Sequence, residues 1–147
     1  MPPETPPLIY VIAGVNGAGK SSIQGAAILK ANGHYYNPDE AARNLRIAAP
    51  TLTQVVANIM AWQNGVELLR KAIKEKLDFS FESTLGANTI PGLLRDAASQ
   101  GFHVRIWFVG LSNPELHIAR VRQRVERGGH AIPESDIRRR YESSRLN

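Results

Sequence analysis

Gly14-Val15-Asn16-Gly17-Ala18-Gly19-Lys20-Ser21 fits the pattern G-x-x-x-x-G-K-[ST], and its surroundings are those the pattern needs. Ahead of it, Leu8-Ile9-Tyr10-Val11-Ile12-Ala13 is a short apolar run suited to a buried parallel strand. Behind it, Ser21 to Ala31 can run as a helix. Strand, glycine-rich turn and helix N-terminus together make an anion site. Backbone N–H groups curl around phosphate oxygens, and the positive end of the helix dipole faces them. Gly14, Asn16, Gly17, Ala18, Gly19, Lys20, Ser21 and Ser22 would cradle the phosphates of ATP. Lys20 would reach the β- and γ-phosphates, and the Ser21 hydroxyl would hold Mg²⁺. With glycine near ~7% of residues, a chance match in a chain of this size is roughly a one-in-a-hundred event. A glycine turn that bound nothing would need neither Lys20 nor Ser21.

Composition sets the frame around that loop. The chain has 147 residues, 43% hydrophobic and 21% charged, which suits one domain with a real core. Residues 1–7, rich in proline, read as a disordered tail, leaving 8–147 as the domain. No apolar run reaches transmembrane length, and the first residues lack the basic and apolar regions of a signal peptide. There is no cysteine, which excludes disulfides and thiolate metal sites and fits a cytoplasmic setting. The net charge of +5 is uneven: eight of the 13 arginines follow Glu115. Such a cluster suits nucleic acid, a membrane or phosphate, and beside this loop nucleotide phosphates are the nearest explanation.

The rest of the chain alternates strand and helix patterns. His34-Tyr35-Tyr36 can form a second strand, and Asn37-Pro38-Asp39-Glu40 starts a helix with Asn37 as cap. Thr51 with Gln54 offers a capping box for a long helix to about Lys76. Its residues Val55, Ile59, Trp62, Val66, Leu69 and Ile73 step by four and three, which predicts a single core-facing stripe. Phe79 to Thr84 is a third strand, Ile90 to Gln100 a helix, and His103 to Val109 a fourth strand. This alternation predicts a mostly parallel α/β sheet with helices on both faces. Beyond Val109 the character changes to helix, Gly128-Gly129, helix, from about residue 113 to 141. Arg120, Arg124 and Arg127 share one helical face, as in a mobile lid over a nucleotide. His130 is read as holding the lid turn, with contact to a ligand as the alternative. Surface ion pairing would explain individual arginines equally well.

The chain resembles the zeta-toxin-like P-loop kinases over almost its whole length. The resemblance rests on Gly14 to Ser22, on Asn37-Pro38-Asp39-Glu40, on Phe81-Glu82-Ser83-Thr84-Leu85, and on the block from Arg120 to Tyr141 containing Gly128-Gly129-His130 and Arg138-Arg139-Arg140-Tyr141. It implies a three-layer, nucleoside-kinase-like P-loop NTPase fold with an arginine-rich lid. It also implies ATP-dependent phosphorylation of a small-molecule hydroxyl, UDP-N-acetylglucosamine being the acceptor of the best-known members. Asp39 would orient or deprotonate the acceptor, with Glu82 and Thr84 beside it. Lys20 and the lid arginines Arg120, Arg124 and Arg127 would complete the catalytic set.

Family members usually continue into a further strand, whereas this chain stops at Leu146-Asn147. An exposed sheet edge beside the fourth strand is therefore expected, open to self-association or to an antitoxin-like partner. The sequence leaves three alternatives standing: a kinase of another metabolite such as a nucleoside or sugar acid, a nucleotide-binding module without catalysis that acts through a partner, and a nucleic-acid-binding NTPase. The last is weakened because no aromatics interleave with the arginines.

Hydrogen bonds to charged groups are worth about 1.5–3 kcal/mol, so Lys20→Ala is expected to weaken ATP binding by roughly tenfold to a hundredfold. Lys20 belongs to a solvated loop, so melting should barely change. Unchanged affinity by titration calorimetry would exclude the loop as the phosphate site.

Overall fold

The computed structural model describes residues 5–14, 35–109, 113–128 and 131–146. The phosphate loop beyond Gly14, the helix expected after it, and His130 lie outside the described residues. Four strands are described, β1 (Leu8–Ala13), β2 (Tyr35–Tyr36), β3 (Phe79–Ser83) and β4 (His103–Phe108). They form one sheet in the order β2-β3-β1-β4, and all its pairings are parallel. The helices are α1 (Pro38–Ala48), α2 (Gln54–Glu75), α3 (Thr89–Ser99), α4 (Pro114–Glu126) and α5 (Glu134–Leu146).

β1 is central because its residues are apolar on both faces. Ile9, Val11, Ile12 and Ala13 are fully buried. Its register sets Ile12 beside Glu82 and Ala13 beside Ser83 on one side, and Ala13 beside Phe108 on the other. One sheet face, carrying Ile9, Val11, Ala13 and Phe81, packs against Leu69 and Ile73 of α2 and Leu94 and Ala97 of α3. Asp78 pins the start of the sheet by accepting from the Leu8 amide at 2.7 Å.

Helix starts follow local chemistry. Asn37 Oδ1 accepts from the amides of Asp39 at 2.9 Å and Glu40 at 3.5 Å, as its place before Pro38 implies. The capping box expected from Thr51 and Gln54 is not formed. Thr53 caps α2 instead, accepting from the Val56 amide at 3.2 Å. Gln54 is engaged elsewhere, its Oε1 accepting from Arg46 at 2.9 Å and its amide donating to Asn58 at 2.8 Å.

The stripe on α2 is core in its second half alone. Val66, Leu69 and Ile73 are buried, but Val55, Ile59 and Trp62 are 67%, 51% and 41% exposed. Length explains the break. A helix of 22 residues spans about 33 Å, whereas a six-residue strand covers ~20 Å. α2 runs back toward the start of β3, so its second half lies on the sheet and its first half overhangs the carboxyl edge. There it pairs with α1 through Ala42, Ala57 and Ala61, which turns the larger side chains outward. The His103–Phe108 strand likewise keeps Ile106, Trp107 and Phe108 exposed. Among the described residues β4 pairs with β1 alone and forms the sheet edge.

Tyr36 marks where α2 leaves the sheet. Its hydroxyl donates to the Ala61 carbonyl at 2.5 Å, and its ring lies 2.7 Å from where a Gly65 Cβ would stand. Helix propensity alone favours Gly65→Ala by ~1 kcal/mol. The held ring leaves no room, and overpacking costs about 1–3 kcal/mol. Net destabilisation by denaturant titration is therefore expected, with the sign reversing in a Tyr36→Ala background. Stabilisation in both backgrounds would show that the ring moves aside freely.

Candidate active site

Parallel pairing brings the carboxyl ends of β2, β3 and β1 side by side, and in open α/β sheets that edge is where ligands bind. Gly14 follows β1 with φ 148°, a backbone conformation suited to glycine, and its amide donates to the Ser83 carbonyl at 3.1 Å. The chain is thus turned at the edge, as a phosphate loop requires, directly beside the end of β3. Of the predicted loop residues Gly14 is described, while Asn16, Gly17, Ala18, Gly19, Lys20, Ser21 and Ser22 lie outside the described residues. By their chemistry, Lys20 and the loop amides suit nucleotide phosphates, and the Ser21 hydroxyl suits Mg²⁺.

Asp39 stands in the first turn of α1, just past the end of β2, and β2 neighbours β3. Glu82 is the penultimate residue of β3 and is 4% exposed. Thr84 follows β3 at once. The register therefore places Asp39, Glu82 and Thr84 along one edge with Gly14.

The turn after β3 is held by its own side chains. Ser83 Oγ accepts from the Leu85 amide at 3.0 Å, and Thr84 Oγ1 accepts from the Gly86 amide at 3.3 Å. Leu85 adopts φ 52° and is buried in the core, which anchors the turn from below.

α4 and α5 form a hairpin around Ile118, Val121 and Ile137, with Ile132 against them. The buried His117 ring meets Tyr141 edge-on, 5.4 Å between centroids. Arg122 pairs with Glu134, Arg138 with Glu115, and Arg139 with Asp136 at 2.9 Å. The Arg138 guanidinium holds the Glu115 carboxyl below its usual range. Arg120, Arg124 and Arg127 lie on the exposed side of this hairpin. Arg140 of α5 packs its stem against the turn after β3. It is half-buried, and its Cγ lies 2.9 Å from where a Gly86 Cβ would stand. In the sequence the signal was only a Thr-Leu-Gly turn and a run of three arginines, and nothing tied the two together.

Tyr35 was also not singled out by the sequence beyond its strand. Burial, then the neighbouring Glu82 carboxylate, push its phenol well above the ordinary tyrosine range. Its hydroxyl oxygen is buried and, among the described residues, has no hydrogen-bond partner at bonding geometry.

The parallel sheet and its helices fit the P-loop NTPase fold. The Zeta toxin family model matches residues 1–146, and the chain belongs to that family. A Haemophilus influenzae protein described as uncharacterized is 33% identical over 128 residues, 87% of this chain and 88% of its own length. Among solved structures, a chain of the Pnkp1/Rnl/Hen1 RNA repair complex has a TM-score of 0.66 at 15% identity, over 99% of this chain and 47% of that one. A presumed kinase from Chloroflexus aurantiacus has a TM-score of 0.66 at 14% identity, over 91% and 77%. The PezAT toxin-antitoxin system of Streptococcus pneumoniae gives 0.59 at 18%, over 84% and 55%. This chain thus spans about half of the RNA repair and PezAT chains, and at these identities the likeness is one of fold. Among the described residues no helix is long and apolar enough to cross a membrane.

Because the folded-state pKa of Tyr35 is raised, folding favours the neutral phenol. Its contribution is intact below the unfolded value near 10 and is lost as pH rises above it. Tyr35→Phe is expected to soften the alkaline loss of stability above about pH 10, with little change at neutral pH. Tyr36, raised by burial as well, remains in both proteins as a common background. Identical alkaline melting curves would show that Tyr35 ionises in the folded state unhindered.

Proposed function

We propose that this chain transfers the γ-phosphoryl group of ATP to a hydroxyl of a small molecule, with a nucleotide sugar such as UDP-N-acetylglucosamine as the first candidate acceptor. The observation that supports this best is the strand order. It aligns the start of the phosphate loop at Gly14, the acids Asp39 and Glu82, and Thr84 on one sheet edge. A phosphoryl transferase needs a donor site, an acceptor site and a carboxylate in that relation.

In this reading Lys20 and the loop amides hold the donor phosphates. Mg²⁺ on Ser21 would supply charge neutralisation at the β- and γ-oxygens. Asp39 takes the proton of the acceptor hydroxyl, whose oxygen bonds to the γ-phosphorus. The bond from that phosphorus to the β,γ-bridging oxygen breaks, and ADP leaves with the electron pair. Glu82 and Thr84 orient the acceptor, and arginines of the α4–α5 hairpin balance charge on the transferring oxygens. A cytoplasmic setting fits the absence of cysteine. The exposed β4 edge suits a protein partner of the antitoxin kind or a second copy.

The test is a screen of nucleotide sugars, nucleosides and sugar acids for acceptor-dependent ADP formation. With an active acceptor, Asp39→Asn is expected to keep ATP binding and to lower kcat by ~10²-fold or more, as for loss of a positioned base. Asn37 still caps the helix in the variant, so the fold should hold. Equal turnover at saturating acceptor would remove Asp39 from the chemistry. ATP binding without turnover on any acceptor class would favour a binding module.

A further inference from the structure

α2 changes character where it leaves the sheet. Residues 67–76 carry six charged side chains, as the solvated side of a helix lying on a sheet does. Residues 54–65, which stand beyond the carboxyl edge, carry none, although most of them are exposed. Val55, Val56, Ile59, Met60 and Trp62 are all exposed there, within about two helical turns. A single exposed apolar residue needs no explanation, but a contiguous apolar patch without charges marks a binding surface.

Helical geometry says which way the patch faces. Val55, Ile59 and Trp62 continue, at steps of four and three, the line of Val66, Leu69 and Ile73. Leu69 and Ile73 share one core with Val11, Ala13 and Phe81 of the sheet. The same line carried past the sheet therefore looks onto the space above the carboxyl ends of β3 and β1. Ala57 and Ala61, which meet α1, lie on another side of the helix. The rotation of α2 is held at the crossing point. There the Tyr36 hydroxyl donates to the Ala61 carbonyl and accepts from the Asn64 side-chain amide at 3.5 Å, while its ring fills the space beside Gly65.

We infer that Val55, Ile59 and Trp62 form the apolar wall of the acceptor site, with the Trp62 indole stacking on a ring of the acceptor. This rests on the kinase reading above and adds to it the class of acceptor. The acceptor presents an uncharged ring face, such as that of a nucleobase or a pyranose, and a large flat indole suits such a face. An open-chain sugar acid has no ring face to offer, and its carboxylate meets no cation among residues 54–65.

The experiment uses Trp107→Phe, which leaves Trp62 as the sole tryptophan, and follows its fluorescence on addition of uridine, UDP-N-acetylglucosamine, N-acetylglucosamine or gluconate. Quenching by a ring-bearing probe and none by gluconate is expected, and the base-bearing and base-free probes tell which ring stacks. By calorimetry, Trp62→Ala should weaken binding of the quenching probe by roughly tenfold to a hundredfold while ADP affinity stays within about twofold. Trp62→Phe keeps a ring and should lose less than Trp62→Ala. Leu116→Ala removes an exposed apolar side chain of the α4–α5 hairpin and should bind as the wild type does. Trp62 is exposed, so these variants should fold, and melting temperature checks that they do. No quenching by any ring-bearing probe, or equal affinity in Trp62→Ala, overturns the wall and leaves the kinase reading to its own screen. Quenching without ADP formation keeps the wall and overturns the transfer reaction. A chain that self-associates in sedimentation, and whose Trp62→Ala variant is a monomer of unchanged probe affinity, also overturns the wall, because the patch then joins two copies.

Discussion

Two parallel ladders on the six residues Leu8–Ala13 hold the site together. β1 pairs with β3 on one side and β4 on the other, and apolar residues on both its faces allow it to be buried between them. Parallel pairing puts every carboxyl end on one edge, and the ladder runs on past Ala13 through the Gly14–Ser83 hydrogen bond. Any register shift by one residue would turn Glu82 to the opposite face and separate Gly14 from the β3 turn. Gly14 and the end of β3 with Glu82 are thus positioned by backbone hydrogen bonds and by burial of Ile9, Val11 and Ile12. Direct contact among the functional side chains is not required.

A second constraint is the mismatch between helix and strand lengths. α2 is longer than the sheet it crosses, so the α1–α2 pair stands out beyond the carboxyl edge. The α4–α5 hairpin packs against the turn after β3 at Gly86. Each helical pair is fixed by a close approach at a glycine, Gly65 under the Tyr36 ring and Gly86 under the Arg140 stem.

Much of this was legible because it is local. The strand at Leu8–Ala13 and the Asn37 cap follow from an apolar run and from a cap placed before proline, and each forms as expected. The acids and Thr84 could be assigned to the sheet edge because a strand fixes where its last residues lie. What was not legible depended on distant partners. The α2 stripe had core periodicity throughout, but periodicity cannot tell where a helix runs off its sheet, and Val55, Ile59 and Trp62 are exposed there. Thr51 with Gln54 matched a capping pattern, yet Arg46 from the preceding helix binds the Gln54 side chain. Helical spacing grouped Arg120, Arg124 and Arg127, while Arg140 packs its stem on the turn after β3 through a contact across 54 residues of chain that no spacing encodes.

The most direct measurement is a crystal structure with Mg²⁺ and a non-hydrolysable ATP analogue. The triphosphate should lie over the carboxyl ends of β1 and β3, with its γ-phosphate toward the edge shared by Asp39, Glu82 and Thr84. A triphosphate bound anywhere else, or one whose γ-phosphate faces away from that edge, would contradict the assignment of this edge as the site of transfer.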